Sequence, residues 1–136
     1  MHTLPHKSSS GFTLVEIMIV VAIIALLAAI AVPNFLRARK RSQASRVLED
    51  LRMMDAGIDQ YAIEHNKISG ATVYFNDLKS YLKVGTTLYN SGGLDIFGNQ
   101  YNNNTVFTVD SVPKVNSSTF SSLSDVAPPE FWSPFR

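Results

Sequence analysis

The chain has no cysteine, which excludes a disulfide framework and any cysteine-ligated metal site. It has little charge imbalance: 12 Lys and Arg against 11 Asp and Glu leave a formal net charge of +1, so nothing calls for a polyanionic partner. Histidine is scarce, with His2, His6 and His65 the only 3. No nucleophile and base fall at a recognisable spacing, and catalysis is not expected. His65, next to Glu64, reads as a helix C-terminal residue whose positive form suits the helix dipole. Room is short as well. Of 136 residues, a long apolar segment takes a large share, and one small domain is all that fits outside it.

That apolar segment is the dominant feature. Gly11 to Pro33 reads GFTLVEIMIVVAIIALLAAIAVP, and from Phe12 to Val32 it carries a single charge, Glu16. Roughly 20 helical residues at about 1.5 Å each span about 30 Å, the thickness of a bilayer's hydrocarbon core. A helix apolar all round needs lipid or protein on every side, and the remaining chain is too short and too polar to wrap it. A charge near a bilayer interior costs a few kcal/mol and implies a partner. Upstream, Met1 to Gly11 is short, polar and ends in a small residue. Cutting after Gly11 would create an amino terminus on Phe12, within reach of the Glu16 carboxylate of a neighbouring copy. An ordinary secretory signal would instead be cut after its apolar core, near Ala29 and Ala31, which would leave Glu16 unexplained.

Gly11-Phe12-Thr13-Leu14-Val15-Glu16, followed by an apolar run ending in proline, resembles the type III signal of prepilins. The resemblance implies that a prepilin peptidase cleaves after Gly11 and N-methylates Phe12, and that Phe12 and Glu16 pair between copies during assembly. It also implies that the leader stays in the cytoplasm while the rest lies outside. Removing Lys7 with the leader would bring the side-chain balance from +1 to zero. Charge alone argues the other way. Arg37, Arg39, Lys40, Arg41 and Arg46 lie just beyond the apolar run, and the positive-inside rule would hold them in the cytoplasm.

Beyond Pro33, which removes a backbone donor and predicts a kink rather than a stop, Val47, Leu51, Met54, Ile58 and Tyr61 recur at helical spacing. Leu48 and Ala62 widen this stripe, with Arg46, Glu49, Asp50, Arg52, Asp55 and Asp59 on the exposed face. One helix from about Phe12 to His65 is expected, apolar all round in its first half and amphipathic in its second. Asn66 to Gly70 ends it. Asn76 is a candidate N-cap for a short helix over Asp77 to Leu82, with Leu78, Tyr81 and Leu82 facing inward. Thr105 to Val109 alternates as a strand, and a partner near Gln100 to Asn102 would make a hairpin across the asparagines. Residues 114–120 read as a further strand, or 117–124 as loop. The terminal APPEFWSPF carries three aromatics, too apolar to leave in water, and folds back on the core.

Asp95-Ile96-Phe97-Gly98-Asn99-Gln100-Tyr101 is similar to the Asp-Pro-Trp-Gly-Asn-Pro-Tyr motif of major pseudopilins of type II secretion systems. It matches at Asp95, Gly98, Asn99 and Tyr101, with Phe97 exchanging one aromatic for another. Both prolines are replaced, by Ile96 and Gln100. Physically the run is a tight turn: Asp95 accepts local backbone donors, Gly98 permits positive φ, and Phe97 and Tyr101 pin it to the core. As a bare Gly/Asn turn it would carry no family meaning. That family often binds calcium, but after Asp95 the only acids are Asp110, Asp125 and Glu130, widely spaced. The clustered carboxylates calcium wants are missing, so no metal or other cofactor is expected.

The expected fold is therefore α+β, a type IV pilin fold with its long helix on a small antiparallel sheet. Residues 1–11 form the leader, 12–32 the transmembrane and assembly helix, 33–66 the amphipathic half, and 67–136 a small globular region with a short helix and a β-hairpin. The resemblance implies a structural subunit of a type II secretion pseudopilus, set in the bacterial inner membrane with its C-terminal region in the periplasm and assembled there into a filament. The partners it implies are prepilin peptidase, other copies, minor pseudopilins, the inner-membrane assembly platform and the lipid bilayer. The basic cluster suits headgroups better than nucleic acid. A type IV pilus subunit and a membrane-anchored periplasmic binding module are the alternatives.

Overall fold

The computed structural model describes residues 1–6 and 9–136. Lys7, the one permanent side-chain charge in residues 1–11, lies outside the described residues. The chain divides into two units, Met1–Leu36 and Arg37–Arg136. In the first, the described residues up to Thr13 are non-helical and exposed, and α1 (Leu14–Glu64) then begins. Every apolar side chain of α1 in this unit is exposed, from Leu14 to Leu36. The helix passes through Pro33 without ending, as expected.

The second unit has its own core. Ala44, Val47, Leu48, Leu51, Met54 and Ile58 of α1 are buried, at the three- and four-residue spacings that line one helix face. They pack with Val73, Leu78, Leu88, Tyr101, Phe107, Leu123, Trp132 and Phe135. The stripe read from the sequence holds, except that Tyr61 and Ala62 are only half-buried at its end. Asp50 departs from it: placed on the exposed face above, it is buried. It lies three residues from Val47 and one from Leu51, at the edge of a buried face wide enough to take it in.

β1 (Thr72–Tyr74) and β2 (Val106–Thr108) form a two-stranded antiparallel sheet, with Thr72 opposite Thr108, Val73 opposite Phe107 and Tyr74 opposite Val106. Three residue pairs cannot hold together alone in water. The central pair, Val73 and Phe107, is buried in the core and anchors them. The sheet is therefore not the hairpin expected from residues 100–109. Gln100 pairs instead with Leu94, and the asparagines are used otherwise. Asn102 donates from its side chain to the Val106 carbonyl (2.7 Å) and accepts from the Lys114 N–H (2.6 Å). Asn102 and Asn103 take left-handed φ of 56° and 60°, which Asn tolerates better than most residues. The run stitches β2 to residue 114 rather than reversing a ribbon.

Between the strands, α2 (Phe75–Leu78) starts earlier than expected. Tyr74, not Asn76, occupies the cap, and Asp77 accepts the Tyr74 N–H at 2.9 Å. A 3-10 turn carries the chain on through Tyr81; of the residues expected to face inward, Leu78 and Leu82 are buried and Tyr81 is half-buried. α3 (Thr87–Ser91), unforeseen, is capped by the Thr86 hydroxyl and stopped by left-handed Gly92. At the following Gly93, φ is 91° and a Cβ would lie 2.8 Å from the Phe75 ring, so the close approach requires glycine. The Ser-rich stretch read as strand or loop is α4 (Ser117–Leu123), whose N-cap Asn116 accepts from the Ser118 N–H. Its serines are exposed while Thr119 and Leu123 are buried. The aromatic tail folds inward as expected, burying Trp132 and Phe135, with the Trp132 Nε1 donating to the Ala127 carbonyl. A long helix on a small antiparallel sheet is consistent with the expected type IV pilin fold.

Candidate functional site

Three arrangements carry the chemistry anticipated above. The first is the entrance to α1. Gly11 and Phe12 are exposed and precede the helix, so the Gly11–Phe12 peptide lies in exposed, non-helical chain. The helix starts at Leu14 rather than Phe12, because Thr13 caps it. The Glu16 N–H donates to the Thr13 hydroxyl at 3.2 Å, and the Glu16 carboxylate accepts the Thr13 N–H at 3.0 Å. This reciprocal capping box satisfies two helix-end donors and sets a negative charge at the positive end of the dipole. The sequence carried the signal, Thr13-x-x-Glu16, in full view. Glu16 is thus held one residue from the Phe12 backbone within its own chain. A carboxylate kept there by an exposed, exchangeable hydrogen bond can be taken over by a stronger donor, such as a free amine.

The second is the turn at Asp95. Asp95 is buried, and its Oδ1 accepts N–H groups from both Phe97 and Asn99 at 2.9 Å. Its Oδ2 accepts the Thr119 hydroxyl, and Thr119 in turn accepts from the Asn99 side chain at 2.9 Å. Backbone bonds from Asp95 to Asn99 and from Gly98 to Asp95 close the loop, with Gly98 at φ 80°. The roles expected of Asp95 and Gly98 hold, and Asn99 joins them through Thr119. Tyr101 is fully buried and donates to Asp50 at 3.0 Å, tying the turn to α1. Phe97 does not pin the turn. Asp95 holds the Phe97 N–H inward, which turns residues 96–98 out, and Ile96 and Phe97 stand 39% and 41% exposed.

Asp50 and Thr119 are the participants that sequence reasoning missed. Burial pushes the Asp50 carboxyl above its usual range, against the pull of the Tyr101 hydrogen bond and the Arg46 charge. Tyr101 is raised too, first by burial and then by the Asp50 charge. Every oxygen of Asp95 is taken by the protein's own donors. Among the described residues no three His, Asp or Glu side chains cluster.

The third is the basic cluster. Lys40 Nζ sits 2.9 Å from Asp125 Oδ2, and Arg46 donates to the Thr87 hydroxyl. The Asp125 carboxyl is held below its usual range by the Lys40 hydrogen bond, with Arg37 adding to the effect. Arg37, Arg39 and Arg41 are exposed, and among the described residues they form no ion pair.

Comparison with known proteins adds to this geometry. Residues 6–32 match the prokaryotic N-terminal methylation motif. The chain is 47% identical over 57 residues to the type IV major fimbrial protein FimA of Dichelobacter nodosus, covering 42% of this chain and 36% of that protein. It is 43% identical over 60 residues to the type IV wide pilus major component PilA4 of Thermus thermophilus, 44% of this chain and 46% of that one. It is 30% identical over 61 residues to type II secretion system core protein G of Aeromonas hydrophila, 45% and 43% of the two chains. The matches thus span less than half the length of each of these relatives. No solved structure matches.

Proposed function

We propose that this chain, a type IV pilin-like protein with a prepilin N-terminal methylation motif, is a structural subunit that is cleaved after Gly11, N-methylated at Phe12, and assembled with copies of itself into a filament. The observation that carries this reading is a helix half, Leu14 to Leu36, whose apolar side chains are all exposed within the chain. By length and composition it can cross a membrane. Each large apolar side chain left in water forfeits about 1.5–3 kcal/mol, so the segment needs lipid first and neighbouring copies afterwards. Apolar packing is non-directional, and register needs something sharper. Glu16 supplies it: leaving its cap on Thr13 for the Phe12 amine of a neighbour is tolerated at one axial offset and costly at others. The role is assembly rather than catalysis. In this reading the precursor sits in the bacterial inner membrane with the Arg37–Arg136 unit in the periplasm, and prepilin peptidase, an assembly platform and minor pseudopilins would be its partners.

Within this class, the Asp95–Tyr101 turn and the likeness to core protein G favour a type II secretion pseudopilin. The higher identities to FimA and PilA4 favour a pilus subunit, and the two readings predict a periplasmic filament and a surface fibre respectively. The first test is the intact mass and N-terminal sequence of the chain from membranes with and without prepilin peptidase. A methylated Phe12 terminus only when the enzyme is present supports the subunit. A chain beginning at Met1 in both strains leaves an anchored binding module, and one cut near Ala31 leaves a secreted domain.

A further inference from the structure

We infer that Arg37, Arg39 and Arg41 form a collar that binds anionic lipid headgroups where the apolar helix leaves the hydrocarbon. This rests on the membrane-anchored reading above. The apolar side chains of α1 stay exposed up to Phe35 and Leu36, and the three arginines follow within the next helical turn and a half. At about 100° per residue, Arg37 and Arg41 share one face and Arg39 lies on the opposite one, so cations ring the helix. Two nearby cations are already engaged, Lys40 by Asp125 and Arg46 by Thr87. Asp125 already carries Lys40, and Arg37, Arg39 and Arg41 are left as three exposed guanidiniums at one level with no ion pair among the described residues.

A second copy at the same depth would bring three like charges to the same level and repel them. Lipid phosphates lie at that level and present planar oxygen pairs that a guanidinium can grip with two hydrogen bonds. The collar also answers the orientation conflict in the sequence. Basic residues away from the leader oppose the positive-inside bias, and anionic headgroups in that leaflet offset the opposition. Long arginine stems can cover apolar surface while their heads stay at the interface, which would set Leu36 at the hydrocarbon edge.

The test reconstitutes the full chain in phosphatidylcholine vesicles with trace spin-labelled phosphatidylglycerol or spin-labelled phosphatidylcholine, and measures the motionally restricted fraction. The inserted chain should select phosphatidylglycerol by about fivefold at low salt, on the scale of one basic residue at a membrane surface. The preference should fade toward 1 at about 1 M salt. An Arg37→Gln/Arg39→Gln/Arg41→Gln variant should lose the preference while resisting carbonate extraction, and Asp125→Asn, which releases Lys40, should increase it. Equal association of both lipids with the inserted chain, or an undiminished preference in the triple variant, overturns the collar and leaves the anchor standing. A chain stripped from vesicles by carbonate overturns both. Salt-dependent retention of duplex DNA by these vesicles, lost in the triple variant and without lipid preference, assigns the arginines to nucleic acid and overturns the proposal.

Discussion

The two units use the same helix in opposite ways. Up to Leu36 the apolar side chains of α1 are exposed all round, whereas after Arg37 most of the large ones are gathered on one face and buried, with Ile63 near the helix end the exposed exception. Both stretches are α-helical, so the difference lies in where the side chains find company. The second stretch takes its stability from residues of its own chain, such as Val73, Phe107 and Trp132. The first leaves its apolar side chains exposed, and in the function proposed above they meet lipid and then other copies. The polar groups divide the same way. Glu16 is held by one exposed and exchangeable cap, while Asp95 is enclosed by donors on both oxygens.

The largest expected effect lies in the first unit. Glu16→Ala should leave cleavage after Gly11 intact and abolish filaments; normal filament yield from this variant would remove the proposed registering role. Next come paired truncations that break the symmetry of the helix. Leu51→Ala deletes a side chain that is fully buried and should cost about 2–5 kcal/mol by denaturant titration in detergent. Leu26→Ala, from the exposed half, should leave the same transition unmoved. Equal shifts would show that the exposed half packs on its own chain after all.

Asp50 sharpens the contrast through pH. Its carboxyl is raised in the folded state from an ordinary 3.8, mainly by burial. The folded state therefore favours the protonated acid. The associated stability is fully present below about pH 3.8 and is lost as the pH rises through the raised value. Relative to Asp50→Asn, the native chain should lose stability over that rising window, with Glu49, Arg46, Tyr101 and Asp95 as the neighbours that set it. Parallel stability curves for the two proteins would show that Asp50 does not titrate there. The smallest effect concerns Gly57, buried inside α1, where a Cβ would meet Tyr81 and Leu78 at an ordinary 3.8–3.9 Å. Gly57→Ala should stabilise the second unit by about 0.5–1 kcal/mol; destabilisation would mean that the helix needs glycine there for bending.

Periodicity, capping and apolar length act within a few residues, and they determined α1 and its two characters; the inward aromatic tail and the Asp95 turn are likewise matters of local composition. The capping box at Thr13 was equally local and could have been read from its spacing. The partner of β2 could not. Thr105 to Val109 shows that a strand forms, but pairing it with Thr72–Tyr74 rather than Gln100–Asn102 depends on burying Val73 against Phe107 across more than 30 intervening residues. The same holds for Asp50 and Phe97. Pattern sends a charged residue outward and an aromatic inward, and the tertiary structure reversed both. Tyr101 reaches α1 with a hydroxyl that needs an acceptor, and Asp95 turns the Phe97 backbone away from the core. Local sequence decides which elements can form. Which of their side chains are enclosed is decided when distant elements meet, because a buried polar group is tolerated only if another part of the chain arrives to satisfy it.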